Sequence, residues 1–429
     1  MSQHPRTLAQ KIIARAAGQD VRPGDMVTCR VDLLMGHDNS GPRRWKPHMD
    51  RLGVGLWDPS KIVIVTDHNV PPADHQTAGL VKIARDFVRD HGIEKFHDME
   101  GISHIVLAEN GYLKPGMFVA GGDSHSPNGG AFGAYMAGYG FTDTAAIAIT
   151  GETWVVVPET VRVTLDGALS SGVAAKDVML MLCRELGMDN NFKVIEYDGA
   201  LVDGLHVEQR MVLCNMAAEL GAETAIMAPD DTTLTYIISH GGRVDPDARD
   251  WRSDPDAPYE NAHRFDTAAL PPQVAAPHSP ANSGPVGEVE PVHVDQCYIG
   301  ACTGAKLSDL HMAAEVMKGR TVAKGTRLMI APASTRATRA AAADGTLATL
   351  TAAGAILLPT GCGACAGMGA GILAEGEVCM ASTARNFKGR MGHAASLVYL
   401  GSPYTVAATA IEGRIADPRP YLAPAREMA

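Results

Sequence analysis

The chain has no surplus of positive charge. Its 37 Lys and Arg against 48 Asp and Glu leave a formal net charge of −11 over 429 residues, and no basic run or basic-aromatic patch interrupts that balance. Nucleic-acid backbones and anionic membrane surfaces are held by net or clustered positive charge, so neither nucleic acid nor membrane is expected as a partner. Cysteine is scarce as well: eight residues in so long a chain are too few for a disulfide scaffold. No hydrophobic leader precedes a cleavage site, and a reducing, cytoplasmic setting is the expectation. One stretch of membrane-spanning length, 345–374, carries no charge, but Gly and Pro saturate it in PTGCGACAGMGAG. That composition predicts a buried loop between core elements rather than a spanning helix. An anionic ligand would have to be held by a few individual arginines against the acidic background.

What is present alternates. KIVIV runs into TDHN, MFVA into GGDSHS, CYIG into ACTG and AILL into PTGCGAC, so polar or glycine-rich loops follow short β-branched runs. Between them lie helical patterns. Thr7 to Ala17 reads as an amphipathic helix with Thr7 and Gln10 at capping-box spacing. Leu80, Ile83, Ala84 and Phe87 recur at helical spacing before Gly92. The alternation predicts α/β architecture with parallel sheets, whose ligands gather beyond the carboxyl ends of the strands. At about 150 residues per domain the length allows two or three domains. A segment rich in Pro and Asp, roughly Val244 to Val286, predicts a long excursion or interdomain connection, and a turn-like VPET follows the strand-like TWVVV. The expected division is therefore 1–160, 161–287 and 288–429. No internal repeat is visible.

Cys362 and Cys365 form a Cys-x-x-Cys in a glycine loop, a spacing that lets two thiolates converge on one metal centre. Alone it also suits a redox pair or half of a zinc site. Cys302, at a strand end in GACTG, makes a third thiolate. Three are one short of the four that close a cubane cluster, so one iron would keep open positions. Cys29, Cys183, Cys214, Cys297 and Cys379 read as small buried apolar residues.

Taken together, GDSHSPNGGAFG, VLCNMAAELGA, YIGACTGAKLSDL, GCGACAGM and ARNFKGRMG resemble the aconitase superfamily, and within it the separate large subunits of the 3-isopropylmalate dehydratase and homoaconitase type. The similarity runs in order over nearly the whole chain. It implies three α/β domains around a 4Fe-4S cluster with Cys302, Cys362 and Cys365 as ligands and one open iron. It implies a hydro-lyase that dehydrates a small anionic 2-hydroxy acid. The family's swivelling fourth domain is here expected on a separate small subunit. Three histidine-carboxylate pairs follow from the resemblance: Asp67 with His68, His104 with Asp123, and His125 with Glu219. A carboxylate fixes an imidazole's tautomer and raises its basicity, which suits proton transfer near neutral pH. Ser124 is expected among the catalytic residues. Asn215, four residues before Glu219 and sharing its helical face, His37, Asp38, Arg385 and Arg390 are expected around substrate and cluster.

The sequence departs from the family at Gly304 and Ala384, where asparagine is usual, and at Ile105, where glutamine is common. It also lacks the Gly-Ser-Ser-Arg type of motif that carries the family's catalytic serine, so activity is expected only with the small-subunit partner. Isopropylmalate, homoaconitate, a methyl- or dimethylmalate and maleate remain open as the acid. A remote alternative is a non-catalytic, RNA-binding or regulatory relative, against which the acidic balance and the intact histidine-carboxylate pairs both speak.

Overall fold

The computed structural model describes residues 4–422. Its contacts divide the chain into two compact units, Met1–Asp166 with Met188–Phe265, and Gly167–Gly187 with Asp266–Ala429. These units cut the chain differently from 1–160, 161–287 and 288–429. Helix Ala175–Glu185 belongs to the second unit because Asp177 Oδ1 accepts the amide of Gln273 at 2.7 Å and Ser283 donates its hydroxyl to the Leu180 carbonyl at 2.6 Å.

The architecture is α/β. In the first unit a five-stranded parallel sheet runs in the order Lys95–Asp98, Ile62–Thr66, Leu33–His37, Phe118–Gly121, Tyr135–Gly138. The chain starts in the middle, fills one side outward, then returns to fill the other. Its order reverses between Leu33–His37 and Phe118–Gly121, a crevice where open parallel sheets bind ligands. A second sheet orders Thr224–Ile226, Lys193–Asp198, Glu159–Asp166 and Asn261–Asp266. The buried 3₁₀ segment Ser126–Phe132 packs on its end so closely that a Cβ on Gly130 would lie 1.8 Å from the Ala225 carbonyl oxygen, and only glycine fits.

The second unit repeats the order of the first. Ile356–Leu357, Arg327–Ile330, Gln296–Ile299, Val378–Ala381 and Leu397–Leu400 are parallel, again with the first strand in the middle. Strands Gln273–Ala275 and Ser283–Pro285 extend one edge in antiparallel fashion. The reversal lies between Gln296–Ile299 and Val378–Ala381. A shared topology without a visible sequence repeat is understandable, because strand order is carried by hydrophobic pattern and connection length, not residue identity.

Helix Leu8–Ala17 forms as expected, with Thr7 and Gln10 closing the capping box and Leu8, Ile12 and Ile13 fully buried. Burial of such a side chain stabilises by about 1.5–3 kcal/mol. Three expectations need correction. In helix His75–His91 the buried stripe is Val81, Ala84, Phe87 and Val88, and Ile83 is exposed. The first four residues of TWVVV lie in the strand Glu152–Val156, which pairs antiparallel with Met26–Arg30 in a two-stranded ribbon outside the parallel sheets. The Pro- and Asp-rich segment is not a bare connection, since within it Asn261–Asp266 adds an edge strand to one sheet and Gln273–Ala275 with Ser283–Pro285 extends another. No helix among the described residues is long and apolar enough to cross a membrane.

Candidate active site

In the first unit, His37 ends its strand, and Asp38, Asp67, His68, Asp123, Ser124 and His125 follow the carboxyl ends of the same and adjacent parallel strands. Across the order reversal, His37 Nε2 lies 3.2 Å from the Gly122 carbonyl oxygen while its Nδ1 accepts the Asn39 amide at 3.2 Å. Those two partners settle a neutral tautomer with the proton on Nε2. Burial and the neighbouring His68 both lower the His37 pKa, against the pull of Asp67, Asp123 and Asp38. Its ring stacks on His68 with centroids 3.9 Å apart.

His68 Nδ1 lies 2.6 Å from Asp67 Oδ1. Burial alone would raise the Asp67 carboxyl, but the charge and hydrogen bond of His68, the charge of His37 and the Ser103 amide outweigh it and hold the group down to about 2. An ionised Asp67 accepts the hydrogen bond of Nδ1–H and leaves Nε2 of His68 facing Asp123 Oδ2 at 3.7 Å. Asp38 plays a different part. Its Oδ1 accepts the amides of Asp67 and His68, each at 3.0 Å, and its Oδ2 accepts the amide and side chain of Asn69 at 2.7 and 2.9 Å. It clamps the loop that presents His68.

Asp123 is the hub. Its Oδ1 lies 3.0 Å from His104 Nε2 and accepts the His125 amide at 2.8 Å. His125 Nδ1 stands 3.5 Å from the same oxygen, and His37 Nε2 stands 3.9 Å from Oδ2. Burial raises this carboxyl, yet the hydrogen bonds and charges of His104 and His125 hold it well below the usual range. His104 thus pairs with Asp123, and the rings of His37, His68 and His125 stand within 4 Å of the same carboxylate, which sequence pairing does not show. His104 Nδ1 is buried without a hydrogen-bond partner among the described residues.

His125 Nε2 lies 3.1 Å from Glu219 Oε1, and Asn215 Nδ2 reaches the His125 carbonyl at 3.4 Å. These two do not share an α-helical face as expected. The helix Val207–Asn215 stops at Asn215, and a 3₁₀ turn, Met216–Ala218, carries the chain to Glu219. Both still converge on His125. Asn128, which sequence reasoning passed over, bridges the same region: it donates to the His104 carbonyl at 3.3 Å and stands 3.4 Å from Asn215. Its signal was its place inside SHSPNGG. Ser124 is exposed.

Donor atoms of His37, Asp38, Asp67 and His68 all lie within 4.8 Å of one another, close enough to suggest a cation site. Three of the four already accept hydrogen bonds: Asp38 from four donors, His37 from Asn39, and Asp67 from His68 and Ser103. The arrangement suits proton handling better than metal binding.

The second unit holds Cys302, Cys362 and Cys365. Cys302 follows Gln296–Ile299 after Ala301, whose φ of 69° turns the chain sharply, while Cys362 and Cys365 follow Ile356–Leu357. Cys302 and Cys365 are buried and Cys362 is half-buried. Burial raises the Cys365 thiol, and Arg390, Arg385 and Lys176 act against it. Lys176 is fully buried and donates to the Thr383 carbonyl at 2.5 Å. Lys306, also buried, donates to Asp309 at 2.5 Å and to the Cys302 carbonyl at 3.3 Å. Neither lysine was singled out in the sequence, although Lys306 lies within CTGAK. At Gly304, where the family usually has asparagine, a Cβ would lie 2.1 Å from Ser382 Oγ. Ser382 accepts the Gly300 amide at 3.1 Å across the strand-order reversal, so a serine from the neighbouring strand end fills the space of the absent side chain. Ala384 is buried.

The aconitase family model (aconitate hydratase) matches residues 10–292 and 287–413, and the chain belongs to that family. It is 47% identical over 420 residues to 3-isopropylmalate dehydratase large subunit 1 of Methanopyrus kandleri, covering 97% of this chain and 100% of that one. It is 42% identical to the methanogen homoaconitase large subunit of Methanocaldococcus jannaschii, over 96% of this chain and 99% of that one. Among solved structures, Thermococcus kodakaraensis aconitase X in its holo-form shares the fold, with a TM-score of 0.51 at 12% identity over 86% of this chain and 88% of that one.

Proposed function

We propose that this chain is the large, iron-sulfur-carrying subunit of a carbon-oxygen hydro-lyase that reversibly dehydrates or isomerises a small 2-hydroxy di- or tricarboxylic acid, of the 3-isopropylmalate dehydratase type. The observation that carries the reading is the set of imidazoles gathered on Asp123, with the carboxylates of Asp67 and Glu219 behind them. It stands in a chain whose relatives over nearly full length are named as dehydratase and homoaconitase large subunits.

The residues of the second unit fit an iron-sulfur group. Cys302, Cys362 and Cys365 are soft donors, and Arg390, Arg385 and Lys176 offset part of the burial that raises the Cys365 thiol. Three thiolates leave one iron of a 4Fe-4S cluster without a protein ligand, and when bound that iron supplies a Lewis acid for the substrate hydroxyl and a carboxylate. Arg385 and Arg390 hold carboxylate oxygens through forked donors. His68, its Nδ1–H anchored on Asp67, gives the Nε2 proton to the departing hydroxyl. His104 and His125, fixed by Asp123 and Glu219, orient the water that is lost or re-added, with Ser124 and Asn215 completing their surroundings. A serine on the small swivelling subunit removes the proton alpha to a carboxylate.

Homoaconitate is the second reading for the acid, favoured by relatives of 42–44% identity that bear that name. The test is anaerobic co-purification with a small subunit, analysis for iron and acid-labile sulfide, and assay against a panel of malate analogues and homoaconitate. Zinc without iron or sulfide overturns the cofactor, and full turnover by the isolated chain overturns the partner.

A further inference from the structure

Tyr298, on strand Gln296–Ile299, is fully buried, and its hydroxyl has no hydrogen-bond partner among the described residues. Burying an O–H unpaired costs about 1–3 kcal/mol, which phenylalanine would avoid in the same volume. Glycines bed the side chain: a Cβ on Gly300 would meet the ring at 2.2 Å, and one on Gly363 would come 3.2 Å from the hydroxyl oxygen. Gly363 lies between Cys362 and Cys365, so the hydroxyl sits against the loop that carries both thiols. A tyrosine hydroxyl is neutral in the ordinary pH range and so offers an O–H to whatever acceptor faces it.

We propose that Tyr298 is a positioning residue whose hydroxyl donates a hydrogen bond to a sulfur of the iron-sulfur group held by Cys362 and Cys365. The proposal rests on the iron-sulfur reading above. A neutral donor aimed at sulfur stabilises the more electron-rich, reduced form, so it raises the reduction potential and slows loss of the group. It also gives the hydroxyl proton an acceptor, which no protein atom supplies among the described residues.

The test compares wild type with Tyr298→Phe, both purified anaerobically as the two-subunit enzyme. The variant is expected to load the same iron and sulfide, to show a reduction midpoint shifted to more negative values, and to lose iron to a chelator roughly tenfold faster, as loss of one such bond predicts. Metal-free Tyr298→Phe is expected to melt no lower than metal-free wild type, because it removes an unpaired group. Should Tyr298→Phe fail to fold, 3-fluorotyrosine placed at 298 alone serves instead: a stronger donor, it is expected to move the midpoint in the positive direction. An unchanged midpoint and an unchanged rate of iron loss in a fully loaded variant overturn the role of Tyr298. Wild type that takes up neither iron nor sulfide overturns the iron-sulfur reading itself, and the Tyr298 proposal with it.

Discussion

Asp38 Oδ1 accepts the backbone N–H of His68 at 3.0 Å, so a carboxylate whose hydrogen bonds go to the 67–69 loop and not to any imidazole decides where an imidazole points. Charge-assisted bonds of this kind contribute about 1.5–3 kcal/mol each, non-additively. Asp38→Ala is expected to destabilise the protein by about 3 kcal/mol in denaturant unfolding. It should lower kcat by more than it changes KM, since the proton donor is displaced rather than the carboxylate-binding arginines. Asp38→Asn keeps one accepting oxygen and should fall between.

Gly304 and Ser382 make a second such pair. Gly304→Ala should destabilise by about 1–3 kcal/mol through overpacking against Ser382 Oγ. Ser382→Gly in the same chain should relieve part of that loss, a coupling of about 1 kcal/mol between touching residues. Thermal melts of the two single variants and the double variant check it, and strict additivity would refute the contact.

The carboxylates of Asp67 and Asp123 are depressed in the folded state, Asp67 to about 2. A depressed acid stabilises the fold above its unfolded pKa, about 4, and that contribution disappears as pH falls through the folded value. His37 behaves differently. Its folded pKa is lowered, so the unfolded chain takes up a proton first, and stability begins to fall as pH drops below about 6.5. Melting temperature against pH should therefore show an upper limb beginning near 6.5 and a steeper one between about 4 and 2. Asp123→Asn should flatten the lower limb, and His37→Gln the upper.

Cysteine substitutions should separate sharply. Cys297 and Cys379 are fully buried, and burial pushes both thiols up, so they remain protonated core residues. Cys297→Ala and Cys379→Ala are expected to keep the iron and sulfide of wild type and to lose only packing stability. Cys302→Ala, Cys362→Ala and Cys365→Ala should each lose most of the iron. Metal analysis of anaerobic preparations distinguishes the two groups.

The parts of the molecule legible beforehand are those governed by neighbours in sequence. The Thr7 and Gln10 capping box, the strand-end placement of TDHN, GGDSHS and ACTG, and the adjacency of Asp67 and His68 involve residues a few positions apart, where backbone geometry leaves little choice. Phase and pairing were less legible. Ile83 turned outward because Val81, Ala84 and Val88 offer an equally apolar stripe one step round the helix, and packing chose between them. TWVVV carries strand propensity, but nothing local tells a ribbon from a sheet.

Composition and motif alone determined the α/β class and the family, and they singled out most of the histidines that the structure brings together. Only the tertiary structure decided the shared strand order of the two units, the gathering of His37, His68, His104 and His125 on Asp123, the use of Asp38 as a loop clamp, and the filling of Gly304's space by Ser382. The reason is physical. Each of those outcomes depends on hydrogen bonds or excluded volume between groups tens of residues apart, and such contacts exist only after the strands have been ordered side by side.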